Sequence, residues 1–153
     1  MSRPPSARTV RTDQMLIGAL LRVPAQAIHR RTIAGLNAAG FTELRLPHMA
    51  VLLYPGPDGE RPTTLAERAG VSKQAMNQLL RSLEALGYIE RFAAPDDGRS
   101  RVVRLTKRGH QAYAKIHELL RQIEDEWQAE LGPTAFASLK KLLGRVWESS
   151  LVR

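Results

Sequence analysis

The stretch Ser72–Arg91, SKQAMNQLLRSLEALGYIER, decides the fold of this chain of 153 residues. Ser72 is a favourable N-cap residue, and Gly87 is suited to the position just after a helix. Between them, apolar side chains recur at the spacing of one helix face, at Met76, Leu79, Leu80, Leu83 and Leu86. The stretch therefore predicts an amphipathic helix from Ser72 to Leu86.

The other face of this helix is predicted to expose amides and cations, at Lys73, Gln74, Asn77, Gln78 and Arg81. Asn and Gln can bind adenine through two hydrogen bonds, and Arg can bind guanine in the same way. An ordinary solvated helix face has a similar composition. The helix alone therefore leaves both interpretations open.

The residues just upstream predict a second, shorter helix. Thr64-Leu65-Ala66-Glu67 has the spacing of a capping box, and Gly70 is placed to end the helix in a left-handed conformation. The turn from Ala69 to Ser72 is short, so the two helices must cross steeply. This arrangement is a helix-turn-helix.

A β-hairpin is predicted downstream. Tyr88–Phe92 and Arg101–Leu105 have the character of two short strands, and the residues between them, Pro95-Asp96-Asp97-Gly98-Arg99, are typical of a hairpin tip. We expect Asp97-Gly98 to supply the positive backbone angle of the turn. The helices and the hairpin together predict a winged helix-turn-helix.

These residues carry a family resemblance. Residues 63–109 resemble the DNA-binding core of the MarR family, the multiple antibiotic resistance regulators of bacteria, and outside this core the resemblance rests on helix order and length. The chain departs from the pattern at Pro24 and in the Pro/Gly-rich linker Tyr54–Pro62. The matching residues are Leu83, Leu86-Gly87, Tyr88-Ile89-Glu90-Arg91, the wing residues Pro95, Asp97 and Arg99, and the closing run Leu105-Thr106-Lys107-Arg108-Gly109.

The resemblance implies a fold that is mainly α-helical with a small two- or three-stranded β wing (α+β), and dimerisation helices at both ends of the chain. It implies a cytoplasmic bacterial transcriptional regulator, of repressor type, that binds an inverted repeat of double-stranded DNA as a homodimer. Most relatives are released by a small aromatic or phenolic ligand. The residues implied for such an effector here are His29, Arg30, Arg31, Tyr54 and Tyr113.

Each DNA-facing residue has an expected role. Gln74, Asn77, Gln78 and Arg81 are candidates for contacts with bases, because the helix that carries them would enter the major groove. Lys73 and the helix amino ends at Thr64 and Ser72 would hold phosphates. In the wing, Arg99 and Arg101 would reach phosphate or the minor groove, and Asp97 would brace Arg99.

The charge distribution favours an anionic partner. The chain has 23 Lys and Arg against 15 Asp and Glu, a net charge of +8. Residues 1–62 and 63–110 each carry an excess of four positive charges, whereas residues 111–153 carry six charges of each sign. No helix combines a basic face with a continuous apolar one, so DNA is favoured over a membrane surface.

The remaining segments predict four parts: a basic arm (1–12), N-terminal helices and linker (13–62), the winged helix-turn-helix (63–108) and C-terminal helices (109–153). The first helix should run from Asp13 to about Ala39, kinked or split at Pro24, and another from Leu46 to Tyr54. Thr106 should cap a long helix to about Glu130.

We expect a last helix to bury Phe136, Leu139, Leu142, Leu143, Val146 and Trp147. The spare helix faces predict a two-fold dimer interface, with an intramolecular bundle as the alternative.

Little in the sequence indicates catalysis. The chain contains no cysteine, no Gly-rich phosphate loop and no His-Glu-x-x-His pattern. We therefore expect that the chain is not an enzyme and that it binds no cofactor and no metal. His110 and His117 could nevertheless share a helix face and contribute to a metal site. The alternatives to a specific regulator are an architectural DNA-binding protein and a winged helix that binds another protein.

Overall fold

The computed structural model describes residues 12–53, 59–94, 97–150 and 152, and for residues 94 and 97–100 it describes the backbone alone. The predicted basic arm therefore lies almost entirely outside the described residues. Two short 3-10 turns, Thr12–Gln14 and Leu46–His48, accompany the regular elements. In chain order these are α1 (Ile17–Ala38), α2 (Met49–Leu52), α3 (Pro62–Ala69), α4 (Lys73–Ala85), β1 (Ile89–Ala94), β2 (Asp97–Leu105), α5 (Lys107–Leu131) and α6 (Pro133–Trp147).

One hydrophobic core joins the N-terminal helices, the helix-turn-helix, the hairpin and the first half of α5. Each of these elements contributes fully or almost fully buried side chains. The predicted fold class, mainly α-helical with a small β wing, is confirmed. The core includes Leu36 of α1, Val51 and Leu52 of α2, Leu65 of α3, Met76, Leu80 and Leu83 of α4, Tyr88 and Ile89 at β1, Val103 of β2, and Ala112 and Ile116 of α5.

Glycines end three of the helices in the same way. Gly40, Gly70 and Gly87 all have positive φ angles, of 91°, 64° and 77°. After each of them, the next residue donates its N–H to a carbonyl one turn back, as Tyr88 does to Leu83 at 2.9 Å. Each glycine N–H also bonds to the carbonyl three residues before it, as Gly87 does to Glu84 at 3.0 Å. These two hydrogen bonds form the Schellman motif, which turns the chain sharply at each helix end.

Helix α1 continues through Pro24, so the predicted split at this residue is wrong. Proline lacks the N–H that would bond to the carbonyl of Leu20, and the neighbouring residues Leu20, Leu21 and Val23 are exposed. A kink at Pro24 stays a prediction. The short helical segment predicted from Leu46 is confirmed, as the 3-10 turn followed by α2.

The wing is an antiparallel pair in which Ile89 lies opposite Leu105 and Phe92 opposite Val102. The predicted tip is wrong in part: Asp97 and Gly98 already belong to β2, and Ala94 pairs with Asp97, while residues 95–96 lie outside the described residues. The Pro/Gly-rich linker contributes to the wing at Glu60. Its backbone exchanges two hydrogen bonds with Val103, of 3.0 and 2.8 Å, and thus adds a third strand position to the wing.

The long C-terminal helix begins where the sequence predicts. Thr106 caps α5, its hydroxyl accepting a hydrogen bond from the Gly109 N–H at 3.1 Å, and Gly132 separates α5 from α6. The predicted burial of α6 is wrong within one chain, since of its apolar residues only Phe136 is buried among those described. The other five are 36–59% exposed: Leu139, Leu142, Leu143, Val146 and Trp147.

Candidate nucleic-acid interface

The turn between α3 and α4 fixes how the two helices cross. Gly70 adopts the left-handed conformation (φ 64°, ψ 31°), and Val71 N–H bonds to the Ala66 carbonyl at 3.1 Å. Ala66 and Leu65 are buried on the inner side of α3. The position of α4 on the surface is therefore set by backbone geometry at Gly70 and by burial on both helices.

The outer face of α4 carries the polar row that the sequence predicts. Met76, Leu80 and Leu83 are buried, and the opposite side exposes Gln74, Gln78 and Arg81. Lys73 is exposed in the first turn, whereas Asn77 is half-buried at the edge of the row. The structure thus places three of the four candidate base-reading side chains on one solvent-facing strip, with the fourth beside it.

The two helix amino ends differ from each other. Ser72 is the N-cap of α4, and its hydroxyl oxygen accepts a hydrogen bond from the Ala75 N–H at 3.1 Å. The predicted capping role of Thr64 is wrong: α3 begins two residues earlier, at Pro62, and Thr64 is half-buried in its first turn. Proline suits the first helical position and holds Arg61 before it in an extended conformation (φ −76°, ψ 141°), which explains the earlier start.

Glu60 connects the third strand position of the wing to α3. Its carboxylate accepts a hydrogen bond from the Arg61 N–H at 3.0 Å and forms an ion pair with Arg68 at 3.1 Å. Sequence reasoning missed this residue, because its partners Val103 and Arg68 come from other elements. Glu60 thereby fixes the wing relative to the helix-turn-helix.

The wing presents cations along its strands. Arg101 is exposed on β2, and the Arg104 guanidinium lies over the Phe92 ring, 5.0 Å from its centre. Arg91 of β1 pairs with Glu84 of α4 at 3.2 Å and joins the wing to that helix. Asp97 and Arg99 belong to β2 by their backbone, and their side chains lie outside the described residues.

A groove with a volume of about 850 Å³ lies between α1 and the Leu46–His48 turn, away from the α4 strip. Two of the five predicted effector residues line it, His29 and Arg30. The lining residues of α1 recur at helical spacing, so the sequence could have indicated that they share one face. The position of Arg45 and Leu46 beside them depends on tertiary packing, which the sequence pattern does not show. The lining residues are Gln26, His29, Arg30, Ile33, Ala34, Asn37, Arg45 and Leu46.

The other predicted effector residues lie elsewhere. Arg31 forms an ion pair with Glu126 of α5 at 2.7 Å, and this hydrogen bond lowers the pKa of the Glu126 carboxyl. The Tyr113 ring packs against the His117 ring, with 4.3 Å between centres, and is not part of the groove wall. Tyr54 lies outside the described residues.

Within the described ranges there is no cluster of three or more His, Asp or Glu side chains that could hold a metal ion. Among these residues, too, no helix is long and apolar enough to cross a membrane.

Comparison with known proteins supports the family resemblance. The model of the MarR family matches residues 51–100, from α2 into β2. The HTH-type transcriptional repressor Rv2887 of Mycobacterium tuberculosis is 29% identical over 135 residues, which cover 88% of this chain and 95% of the repressor. The chain is similar to the MarR family.

Solved structures of MarR proteins share the fold. The M. tuberculosis protein Rv2887 in complex with salicylic acid is 28% identical, with a TM-score of 0.65, covering 89% of this chain and 99% of that protein. The reduced form of MarR from E. coli is 25% identical, with a TM-score of 0.72, over 86% of this chain and 96% of that one. The MarR resemblance therefore extends beyond the DNA-binding core to the terminal helices.

Proposed function

We propose that the chain is a sequence-specific DNA-binding transcriptional regulator of repressor type. The observation that carries the proposal is the strip of α4: exposed amides and a cation on a helix whose inner face is buried and whose two ends are fixed by Ser72 and Gly87. A rigid helix with such a face matches the hydrogen-bonding groups of base edges in the major groove. The curated repressor Rv2887 supports the same function.

The proposed contacts divide into two kinds. Gln74, Gln78 and Arg81, with Asn77 beside them, read bases. The other proposed residues hold the DNA backbone, since amino ends of helices and cations bind phosphate whatever the base sequence. They are Lys73 and Ser72 at the start of α4, Thr64 in the first turn of α3, and Arg99 and Arg101 on the wing, with Asp97 bracing Arg99.

The active form is proposed to be a homodimer. Residues of α6 and of the first turns of α1 expose apolar side chains, among them Leu142 (56%), Trp147 (59%) and Ile17 (68%). Such faces are costly to leave in water and are typical of an interface between subunits. In a two-fold dimer the two α4 helices would lie about 34 Å apart, one turn of DNA, and the operator would be an inverted repeat.

The proposed parts of the chain are the arm (1–12), the N-terminal dimerisation part (13–62), the DNA-binding part (63–108) and the C-terminal dimerisation helices (109–153).

The groove is the proposed effector site. Ile33, Ala34 and Leu46 supply an apolar wall, and His29, Arg30 and Arg45 supply groups that can bind a carboxylate. A small aromatic acid has both features, and the relative Rv2887 binds salicylic acid. We propose that such a ligand weakens DNA binding.

We further propose that the chain is not an enzyme, binds no cofactor and acts in the cytoplasm, where its DNA is.

Fluorescence anisotropy tests the DNA-binding function. The purified chain is titrated with DNA from its own upstream region and with scrambled DNA, across a salt series. We expect Gln78→Ala to reduce the preference between the two DNAs, and Arg99→Ala to weaken binding to both and to reduce the salt slope.

Arg121→Ala is the matched control for lost charge, since Arg121 is exposed on α5, away from α4. It should leave the preference unchanged. Equal binding of both DNAs by the native chain at all salt concentrations would indicate an architectural protein instead. No binding to either would favour a protein partner.

A further inference from the structure

A buried histidine lies between the groove and the DNA-reading helix. His48 is 7% exposed and is the last residue of the 3-10 turn whose first residue, Leu46, lines the groove. Its ring makes one hydrogen bond on each side. The Arg45 N–H donates to Nδ1 at 3.1 Å, and Nε2 lies 3.3 Å from the Ser82 hydroxyl on α4.

The direction of these hydrogen bonds follows from the Arg45 contact. Since Nδ1 accepts from a backbone N–H, it carries no proton, and the neutral ring must carry its proton on Nε2. Nε2 therefore donates to the Ser82 oxygen. Burial, and secondly the charge of Arg45, lower the pKa of His48 below its ordinary value, which keeps the ring in this neutral form near neutral pH.

The backbone around His48 leaves the ring little freedom to move alone. The His48 N–H donates to the Arg45 carbonyl at 3.0 Å, so His48 and Arg45 are joined by two reciprocal hydrogen bonds. The Arg45 guanidinium is held in turn by the carbonyls of Thr42 (2.7 Å) and Leu44 (3.1 Å). A displacement of Arg45 at the groove must therefore move the His48 ring.

On the other side, Ser82 follows Arg81, a proposed base-reading residue, directly in α4. Ser82 lies on the flank of the helix between the buried stripe and the exposed strip, and is half-buried. Because an α-helix moves nearly as a rigid body, a shift at Ser82 changes the position of the whole strip relative to DNA.

We propose that His48 is the positioning residue that couples the groove to α4, so that a small aromatic carboxylate bound beside Arg45 and Leu46 alters DNA binding through the His48–Ser82 hydrogen bond. This inference rests on the proposed ligand response and adds its route. The ligand need not touch His48. Its contacts with the 3-10 turn move the ring, and the ring moves the helix.

The test measures coupling, with salicylate as the probe. The dissociation constant for operator DNA is measured with and without saturating salicylate, and the ratio of the two is the coupling factor. By linkage, DNA must change the salicylate affinity by the same factor, which gives an independent check on binding equilibria. Salicylate binding to the free protein is measured by calorimetry.

Ser82→Ala is the main variant, because it removes the acceptor on α4, leaves the Arg45 contact intact and places a good helix former in a helix. We expect the coupling factor to fall by about two- to tenfold, the range that one hydrogen bond contributes to an equilibrium. DNA binding without salicylate, and salicylate binding without DNA, should stay close to native. Ser82→Thr, which keeps the hydroxyl, should restore the coupling.

His48→Phe removes both ring hydrogen bonds and should also uncouple the sites. Its matched control is Thr32→Val in α1, which removes another buried polar side chain, whose hydroxyl donates to the Ile28 carbonyl at 2.8 Å. The control should keep native coupling. If the native chain shows coupling and Ser82→Ala keeps it in full, the His48 route is wrong. If salicylate leaves the DNA affinity of the native chain unchanged, the proposed ligand response itself fails.

Discussion

Arg108, in the first turn of α5, forms an ion pair with Glu43, in the turn that follows α1, with 2.6 Å between Nη2 and Oε1. The same guanidinium lies 4.6 Å over the centre of the Tyr88 ring, at the start of the wing. The Tyr88 hydroxyl in turn donates to Glu43 at 3.4 Å. Three segments that are distant in the sequence, the α1–α2 connection, the start of β1 and the start of α5, therefore meet at one carboxylate.

This carboxylate should make the fold sensitive to acid. A backbone hydrogen bond at Glu43 itself, and then the hydrogen bond from Arg108, lower the pKa of Glu43. The stabilisation is therefore complete above the ordinary pKa of an unfolded Glu, about 4.3, and is lost as the pH falls through the lower folded value. We expect the thermal midpoint of Glu43→Gln to fall less than that of the native chain between pH 6 and 3. Glu130→Gln, an exposed site on α5, is the control, and a native-like pH profile for Glu43→Gln would contradict the prediction.

Gly109 is required for the close approach of α5 to the wing. A Cβ atom at this position would overlap the backbone carbonyl oxygen of Tyr88, which cannot rotate away. We expect Gly109→Ala to lower the free energy of unfolding by about 1–3 kcal/mol, the usual cost of overpacking. Gly144→Ala in α6 is the matched control, since nothing lies near its Cβ, and it should be neutral or stabilising by up to about 1 kcal/mol. Chemical denaturation measures both, and equal effects would refute the steric argument.

Thr106 makes two hydrogen bonds with one hydroxyl. It accepts from the Gly109 N–H at 3.1 Å and donates to the Gly87 carbonyl at 2.6 Å, and so joins the end of α4 to the start of α5. Thr106→Val keeps the shape and removes both, and we expect it to lower the free energy of unfolding by about 1–2 kcal/mol. Thr106→Ser should recover most of this loss. If the valine and serine variants are equally stable, the hydroxyl does not stabilise the fold.

The apolar face of α6 should control assembly and, through it, DNA binding. Leu142→Glu places a charge on this face, and we expect sedimentation equilibrium to show a shift from dimer to monomer, with at least about a tenfold loss of operator affinity, since half of the base contacts are lost. Ala137→Glu adds the same charge to the opposite side of α6. A dimeric Leu142→Glu protein would show that the interface lies elsewhere.

The sequence predicts the parts of the structure that depend on local interactions. The cap at Ser72, the Schellman turns at Gly70 and Gly87 and the cap at Thr106 lie where their residue types place them, because each forms hydrogen bonds within a few residues. The start of α3 differs from the prediction. The capping-box spacing predicts a start at Thr64, but Pro62 occupies the first helical position, which proline favours.

The remaining differences involve partners that are distant in the sequence. Glu60 joins the wing because Val103 offers a free strand edge, and Arg45 lines the groove because the segment that contains it lies against α1. No pattern of helical or strand spacing in the sequence predicts either contact. The candidate base-reading row could be predicted, since it is one face of one helix. The groove is formed by two segments, and of the five residues predicted for an effector only His29 and Arg30 line it.

The exposed apolar side chains of α1 and α6 have a consequence for every stability measurement on this chain. If these faces become buried only when two chains meet, folding and association are one equilibrium, and mass action governs both. The midpoint of unfolding then rises with protein concentration, and a variant compared at a different concentration would seem stabilised or destabilised without any change in its contacts. In the cell, the number of copies of the chain would help to set the fraction that is folded.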